Sequence, residues 1–198
     1  MSNKKNRINI IIYGHQDIVQ MDNNSFIREF LENMFEKKFN LNTQKTLVFG
    51  TEVKLDNGVV FDCRLHATNS EQQLKTMAKN SVGLILIFDP DRDKSLKLLE
   101  NLFNGIAKEK KIFGDLYITI LANEKKETEI TKKAKDFAKQ NAIKFCDSTL
   151  DEEDKKFILE IIKEICNFKP NKKKEINQKE DAPKENAKKS RDCCGCFK

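Results

Sequence analysis

The stretch Val82–Phe88, with the sequence VGLILIF, decides the fold class of this chain. It contains no polar side chain, so a strand formed here is apolar on both of its faces. Such strands lie in the interior of parallel sheets whose two faces are covered by helices. Asp89 and Pro90 follow directly and end the strand. The stretch therefore predicts an α/β protein with a central parallel strand at this place.

Strand and helix patterns alternate on both sides of this central strand. Five further strands are predicted, at Arg7–Tyr13, Thr46–Leu55, Val59–His66, Asp115–Ala122 and Ile143–Cys146. Four amphipathic helices are predicted, at Asp22–Lys38, Ser95–Lys110, Thr128–Asn141 and Asp151–Phe168, and a weak helix in the polar segment before Lys79. Asp56-Asn57-Gly58 predicts a hairpin turn between two of the strands. Together the patterns predict a six-stranded, mostly parallel sheet with helices on both faces.

The charge of the chain divides it into a domain and a tail. The 198 residues include 37 Lys and Arg and 31 Asp and Glu, a net charge of +6. Ten of the basic and five of the acidic residues lie at 169–198, which leaves residues 1–168 with 27 against 26. A nearly neutral domain gives no support for a nucleic-acid partner. The tail has almost no apolar residues between Pro170 and its last cysteines, so we expect it to be disordered and basic.

No apolar run approaches the roughly 18–20 residues needed to span a bilayer, and the basic N-terminus is not followed by a signal-peptide core. We therefore expect a protein of the cytoplasm. Three of the six cysteines, Cys63, Cys146 and Cys166, are scattered at apolar positions and fit buried thiols in a reducing compartment.

The other three cysteines, Cys193, Cys194 and Cys196, lie in the last six residues. As a metal site they would supply three thiolates with no nearby histidine. As a lipid site they would supply adjacent acceptors behind a basic segment, and stable anchoring requires two chains or one chain plus positive charge. A C-a-a-X box would need a cysteine where Gly195 stands. We interpret the cluster as a lipidation site and keep the metal site as the alternative.

Three local signatures carry a family resemblance. The first is Gly83–Asp89 followed by Ser95-Leu96, the second is Phe145–Thr149, and the third is the basic tail with its clustered cysteines. Together with the order of elements they resemble the Ras superfamily of small GTPases, and within it the Rab branch. The resemblance implies a P-loop-NTPase-type fold, a Ras-like G domain over residues 1–168, with Ser148 and Thr149 in the last base-contacting loop.

The phosphate-binding loop of this family, G-x-x-x-x-G-K-[ST], departs from its pattern here. Backbone N–H groups of such a loop wrap the phosphates, its Lys offsets their charge and its hydroxyl binds Mg²⁺. Counted from Gly14, Val19 takes the place of the second glycine, Gln20 that of the lysine and Met21 that of the hydroxyl. Counted back from the following helix, Asn23 takes the lysine position. Neither register contains a lysine.

The family's Asp-x-x-Gly motif after the third strand is also altered. Its Asp supports Mg²⁺ and the Gln that follows orients the attacking water. The register favoured by side-chain alternation puts Ala67 at the Asp and Glu71 at the Gln, and a shift by one residue gives His66 and Ser70. The segment is also shorter than usual, which would shorten the second switch.

The guanine-reading motif, Asn-Lys-x-Asp, corresponds to residues 123–126. Asn123 is retained, but Lys126 places a donor where the family has a carboxylate acceptor. Each lost charge-assisted hydrogen bond is worth about 1.5–3 kcal/mol, and every 1.4 kcal/mol is tenfold in affinity. We expect impaired binding of GTP and GDP and no certain cofactor. GTPase activity is implied by the resemblance alone, since no catalytic or metal-binding residue can be assigned.

The resemblance implies a lipid-anchored binding module in vesicle trafficking, on the cytosolic face of an internal membrane. Its partners would be effector or regulator proteins and the membrane surface. Two alternatives remain: a divergent switch that binds GTP and Mg²⁺ and hydrolyses GTP slowly, and a soluble scaffold without a lipid. His15, Asp17 and His66 fit polar loop residues better than a metal site or an acid–base pair. Ser148 lacks the glycine context of a hydrolase nucleophile.

Overall fold

The computed structural model describes residues 6–14, 47–108, 116–147 and 152–168, together with Glu32. Six strands and four helices have described bounds: β1 (Asn6–Gly14), β2 (Leu47–Lys54), β3 (Val60–Thr68), α1 (Glu71–Ala78), β4 (Gly83–Phe88), α2 (Asp93–Lys108), β5 (Tyr117–Ala122), α3 (Glu129–Gln140), β6 (Lys144–Asp147) and α4 (Glu152–Asn167). The helix predicted at Asp22–Lys38 and the tail at 169–198 lie outside the described residues.

The strands form one six-stranded sheet in the order β2-β3-β1-β4-β5-β6. The hairpin pair β2–β3 is antiparallel, and the other four pairs are parallel. All six residues of β4 are buried, and β1 and β5 flank it. The prediction of an α/β protein with a mostly parallel sheet and a central strand in Val82–Phe88 is therefore confirmed. The architecture is compatible with a P-loop-NTPase-type fold.

Helices cover both faces of this sheet, as expected for a strand that is apolar throughout. Leu84, Leu86 and Phe88 of β4 pack in one core cluster with residues of α1, α2 and α3. Ile85 and Ile87 point the other way and pack with Ile158, Ile161, Ile162 and Ile165 of α4. Successive side chains of a strand alternate between faces, so the unbroken apolar run fills two cores at once.

The predicted hairpin turn is present between β2 and β3. Gly58 has φ +83°, a left-handed conformation that a residue with a Cβ atom rarely adopts. Its N–H donates to the carbonyl of Leu55 at 2.9 Å, and the N–H of Val59 donates to the side-chain oxygen of Asn57 at 3.0 Å. The Asn-Gly pair thus supplies both the backbone conformation and a side-chain acceptor for the turn.

Three elements near the candidate site, one strand and two helices, differ from the sequence prediction. β3 extends two residues beyond His66, because Ala67 and Thr68 continue the parallel pairing with the end of β1. The weak helix is a regular eight-residue helix, α1, with Ser70 as its N-cap. α2 begins at Asp93 and not at Ser95. The buried Ser95 hydroxyl lies in its first turn and accepts from the N–H of Asp89 at 2.9 Å.

Candidate functional site at the carboxyl edge of the sheet

The carboxyl ends of the parallel strands meet at one edge of the sheet, where α/β proteins bind their ligands. Gly14 lies at this edge beside Ile87, and Ala122 lies between Phe88 and Asp147. Three of the predicted nucleotide-site residues fall within the described ranges: Gly14, Asn123 and Lys126. The others lie outside them, namely Gln20, Met21, Ser148 and Thr149, as do His15, Asp17 and the cysteines Cys193, Cys194 and Cys196.

The loop after β4 is closed by the side chain of Asp89. One carboxylate oxygen of Asp89 accepts from the N–H of Asp91 at 2.9 Å, and the other pairs with Nε of Arg92 at 3.0 Å. This is an Asx turn, in which a side chain replaces a backbone acceptor. Asp89 is thus occupied within its own loop, and Asp91 is left facing the loop that follows β5.

Lys126, which the resemblance predicts to take the position of a guanine-reading carboxylate, is bound to Asp91. Its Nζ lies 2.6 Å and 2.8 Å from the two carboxylate oxygens of Asp91. The hydrogen bond to Asp91 is the main cause that raises the pKa of Lys126. Both side chains are about half exposed, so this pair adds little to stability by itself. Its consequence is local: the ammonium group and its counter-ion bridge two loops of the candidate site.

Two threonines hold the loop after β5 against the start of α3. The hydroxyl of Thr128 accepts from the N–H of Thr131 at 3.0 Å as the N-cap of α3, and lies 3.2 Å from the carbonyl of Pro90. The buried hydroxyl of Thr131 donates to the carbonyl of Lys126 at 2.6 Å. The loop that carries Lys126 is therefore held to the start of α3 by Thr131 and to the loop after β4 by Thr128.

Asn123, the residue of the predicted guanine-reading motif that matches the family's pattern, is half-buried. Its N–H donates to the carbonyl of Phe88 at 2.9 Å, which ties the loop to the end of β4. Its side-chain oxygen is buried and has no hydrogen-bond partner among the described residues. A buried acceptor without a donor costs about 1–3 kcal/mol, so this oxygen is a place where a donor would bind favourably.

A second ion cluster lies at the end of β6. Lys135 of α3 pairs with Glu127 and lies 3.3 Å from a carboxylate oxygen of Asp147. The hydrogen bond to Glu127 is the main cause that raises the pKa of Lys135. The same Nζ lies 5.8 Å from the ring centre of Phe145. Asp147 precedes the two predicted base-contacting residues in sequence and is already engaged by a lysine of the same chain.

The connection from β3 to α1 consists of Asn69 and Ser70. The hydroxyl of Thr68 donates to the side-chain oxygen of Gln73 at 2.7 Å and accepts from the N–H of Ser70 at 3.1 Å. Ser70 in turn accepts from the N–H of Gln73 at 3.4 Å. Ser70, which the predicted register puts at the position of a glycine hinge, is the N-cap of α1. Ala67 is buried and Glu71, the first residue of α1, is exposed.

His66 lies inside β3 and not in the loop at the carboxyl edge, which corrects the expected position of this histidine. Its Nε2 is 3.3 Å from the side-chain oxygen of Asn9 in β1, and Asn9 donates to the carbonyl of Asn80 at 2.8 Å. Burial first, and the charge of Arg64 second, lower the pKa of His66. The arrangement is a polar contact between strands. Within the described ranges no group of three metal-ligating side chains is brought together.

Sequence reasoning found Asn123 and Lys126 but missed Asp91, Thr128 and Thr131. The two threonines had a signal, since a Thr three residues before another polar residue at a helix start is typical of an N-cap. Asp91 had none, because its partner is 35 positions away along the chain.

No protein-family model matches the chain, and no curated protein shows significant similarity to it. In the described part of the chain, no helix is both long enough and apolar enough to cross a membrane.

Proposed function

We propose that this chain is a Rab-like protein with the Ras-like G-domain fold that serves as a lipid-anchored binding module in vesicle trafficking, with impaired GTP binding and hydrolysis. The observation that carries the impaired-binding part of the proposal is the ion pair between Lys126 and Asp91, within a sheet of the order β2-β3-β1-β4-β5-β6. Lys126 puts a cation at the position proposed for a base-reading carboxylate, and this cation is already paired with Asp91. The lipid anchor rests on the sequence of the tail alone.

Two further features support impaired nucleotide chemistry. The β3–α1 connection is two residues long. The Thr68 hydroxyl before it accepts from the backbone N–H of Ser70 and donates to Gln73 of α1, and the Ser70 hydroxyl caps α1. A nucleotide switch needs a segment that changes between two arrangements when the γ-phosphate is present or absent. A short connection that ends in a helix N-cap offers little length for such a change.

The nucleotide content of the purified protein tests this proposal. We expect no guanine nucleotide after acid extraction and no saturable binding of fluorescent GDP or GTP in the presence of Mg²⁺. Lys126→Asp restores the carboxylate, and Lys125→Asp makes the same charge change at the neighbouring position. We expect neither variant to bind. Co-purifying guanine nucleotide, or micromolar or tighter binding to the unaltered protein, would contradict the proposal.

A divergent GTP-binding switch is the second candidate, and Asn123 favours it. Its buried side-chain oxygen has no donor within the described ranges, which is costly, and a bound ligand could supply that donor. In this case the unaltered chain binds nucleotide, Lys126→Asp raises the preference for guanine over adenine, and Lys125→Asp leaves the preference unchanged.

The anchoring part of the proposal is tested separately. Replacing Cys193, Cys194 and Cys196 by Ser should move the protein from the membrane fraction of eukaryotic cells to the cytosol and abolish labelling by prenyl or fatty-acid analogues. Cys146→Ser is the matched control, since it removes one thiol from the domain and leaves the tail unchanged. Equal membrane association of the triple variant and the unaltered protein would favour the soluble scaffold.

A further inference from the structure

Two buried cysteines from distant parts of the chain meet in the core beneath α4. Cys63 lies in β3 and is fully buried, and Cys166 lies in the last turn of α4 with 8% of its surface exposed. Their sulfur atoms are 3.5 Å apart and share a hydrogen bond, although the residues are separated by 103 positions. A disulfide bond is about 2.05 Å long, so its formation needs an approach of about 1.5 Å.

We propose that Cys63 and Cys166 form a peroxide-sensitive modification site, at which oxidation joins β3 to the end of α4 through a disulfide bond. The two thiols are in contact in the folded chain, so no large rearrangement is needed. The reactive partner is Cys166, since it is the one with exposed surface, at the end of a helix that stops one residue later.

The pKa directions of the two thiols also indicate that Cys166 reacts before Cys63. The hydrogen bond between the two sulfurs lowers the pKa of Cys166 and raises that of Cys63. The thiolate is the nucleophile in thiol oxidation, so the cysteine with the lower pKa reacts first. Cys146 offers the contrast: burial raises its pKa to about 11, and it lies on β6, four strand positions away from Cys63 across the sheet.

The reaction balances with hydrogen peroxide as the oxidant. The Cys166 thiolate attacks one peroxide oxygen, the O–O bond breaks, and a sulfenic acid and hydroxide are formed. The Cys63 sulfur then attacks the sulfenic sulfur, the S–O bond breaks and the S–S bond forms. The displaced hydroxide takes up the thiol proton. Overall, two thiols are oxidised to one disulfide and one peroxide is reduced to two waters.

The linkage would fix the helix that leads into the basic tail. α4 ends at Asn167, directly before residues 169–198. A disulfide between its last turn and β3 would hold this end of the domain to the hairpin strands. This consequence does not depend on nucleotide binding or on lipid attachment.

The test uses the full-length chain with Cys193, Cys194 and Cys196 replaced by Ser, so that only the three cysteines of the domain remain. After treatment with hydrogen peroxide and alkylation under denaturing conditions, we expect one alkyl group per chain where the untreated protein takes up three. Peptide mapping should show Cys63 linked to Cys166. Dithiothreitol should restore the uptake of three groups.

Stability gives a second measurement. Cross-linking two residues this far apart restricts the unfolded chain, and the oxidised form should melt about 5–15 °C higher than the reduced form. Cys146→Ser should retain both effects, and Cys63→Ser and Cys166→Ser should lose both. The proposal is overturned if mapping of the folded, peroxide-treated parent finds Cys63 and Cys166 unlinked, or finds either one joined to Cys146. That result needs no variant of the buried pair to fold.

Discussion

Gly83→Ala should destabilise the protein through one contact between β4 and α4. A Cβ atom built on Gly83 would lie 2.5 Å from Cγ2, 3.1 Å from Cδ1 and 3.3 Å from Cγ1 of Ile165. Ile165 is fully buried among its neighbours and cannot turn into solvent. Overpacking of a core by one methyl group costs about 1–3 kcal/mol. For a chain of this size that cost lowers the melting temperature by about 2–12 °C.

The assay is urea unfolding followed by circular dichroism, since the chain contains no tryptophan. Gly50→Ala is the matched control: Gly50 also lies in a strand, but a Cβ atom there would meet nothing within 4 Å. We expect the midpoint of Gly83→Ala to fall and that of Gly50→Ala to stay or rise slightly.

Repeating Gly83→Ala in a protein that also carries Ile165→Ala separates the cost of the steric contact from the effect of strand propensity. Ile165→Ala removes all three atoms that the new methyl group would meet, at a cost of about 2–5 kcal/mol of its own. In that background Gly83→Ala should cost nothing further. If it costs the same in both backgrounds, the contact with Ile165 is not the cause and the reasoning from close packing is wrong.

Three further predictions concern polar groups. The lowered pKa of His66, due to burial and to Arg64, means that its stabilising effect is complete above about pH 6.5 and is lost as the pH falls towards the folded-state pKa. His66→Gln should therefore lose less thermal stability than the unaltered protein between about pH 7 and pH 5, and equal losses would contradict this assignment. Ser70→Ala should lower the free energy of unfolding by about 1 kcal/mol, because α1 loses its N-cap; an unchanged urea midpoint would show that the cap is not formed. Asp91→Asn should lower the pKa of the Lys126 ammonium towards its usual value, as measured by NMR titration, and an unchanged pKa would mean that the two groups are not paired in solution.

Those features of the fold that depend on local pattern could be predicted from the sequence. The run Val82–Phe88 predicted the central strand because a strand buried on both faces has no polar side chains. Asp56–Gly58 predicted the hairpin because Gly58 must adopt a positive φ there. In both cases the residues that determine the structure are adjacent, so periodicity and turn chemistry are enough.

The contacts between side chains that are distant in sequence could not be predicted in this way. The pairing of Lys126 with Asp91 joins two loops, and that of Cys63 with Cys166 joins a strand to the last helix. Nothing in the sequence near Lys126 or near Cys63 indicates the distant partner of that residue. The first contact follows from the strand order, which places the ends of β4 and β5 side by side. The second follows from the packing of α4 against the sheet. Both become visible only after the sheet and its helices are assembled.

The carboxyl edge of this sheet has a consistent physical character in its described part. Asp89 accepts from its own loop, Asp91 binds Lys126, and Asp147 lies beside Lys135. In a site that binds a charged ligand, such groups keep capacity for the ligand, and its binding energy orders the loops. Here these carboxylates are already engaged by groups of the protein itself.

On the proposed function, this character favours a constant binding module over a switch. A ligand can shift an equilibrium only by its difference in affinity for two states, so a protein with one arrangement of these loops has nothing to shift. The cation at the proposed base-reading position is bound to Asp91, and the β3–α1 connection ends in a helix cap. Regulation would then have to come from elsewhere, either from attachment of the tail to a membrane or from oxidation of Cys63 and Cys166. Both can be measured without any nucleotide.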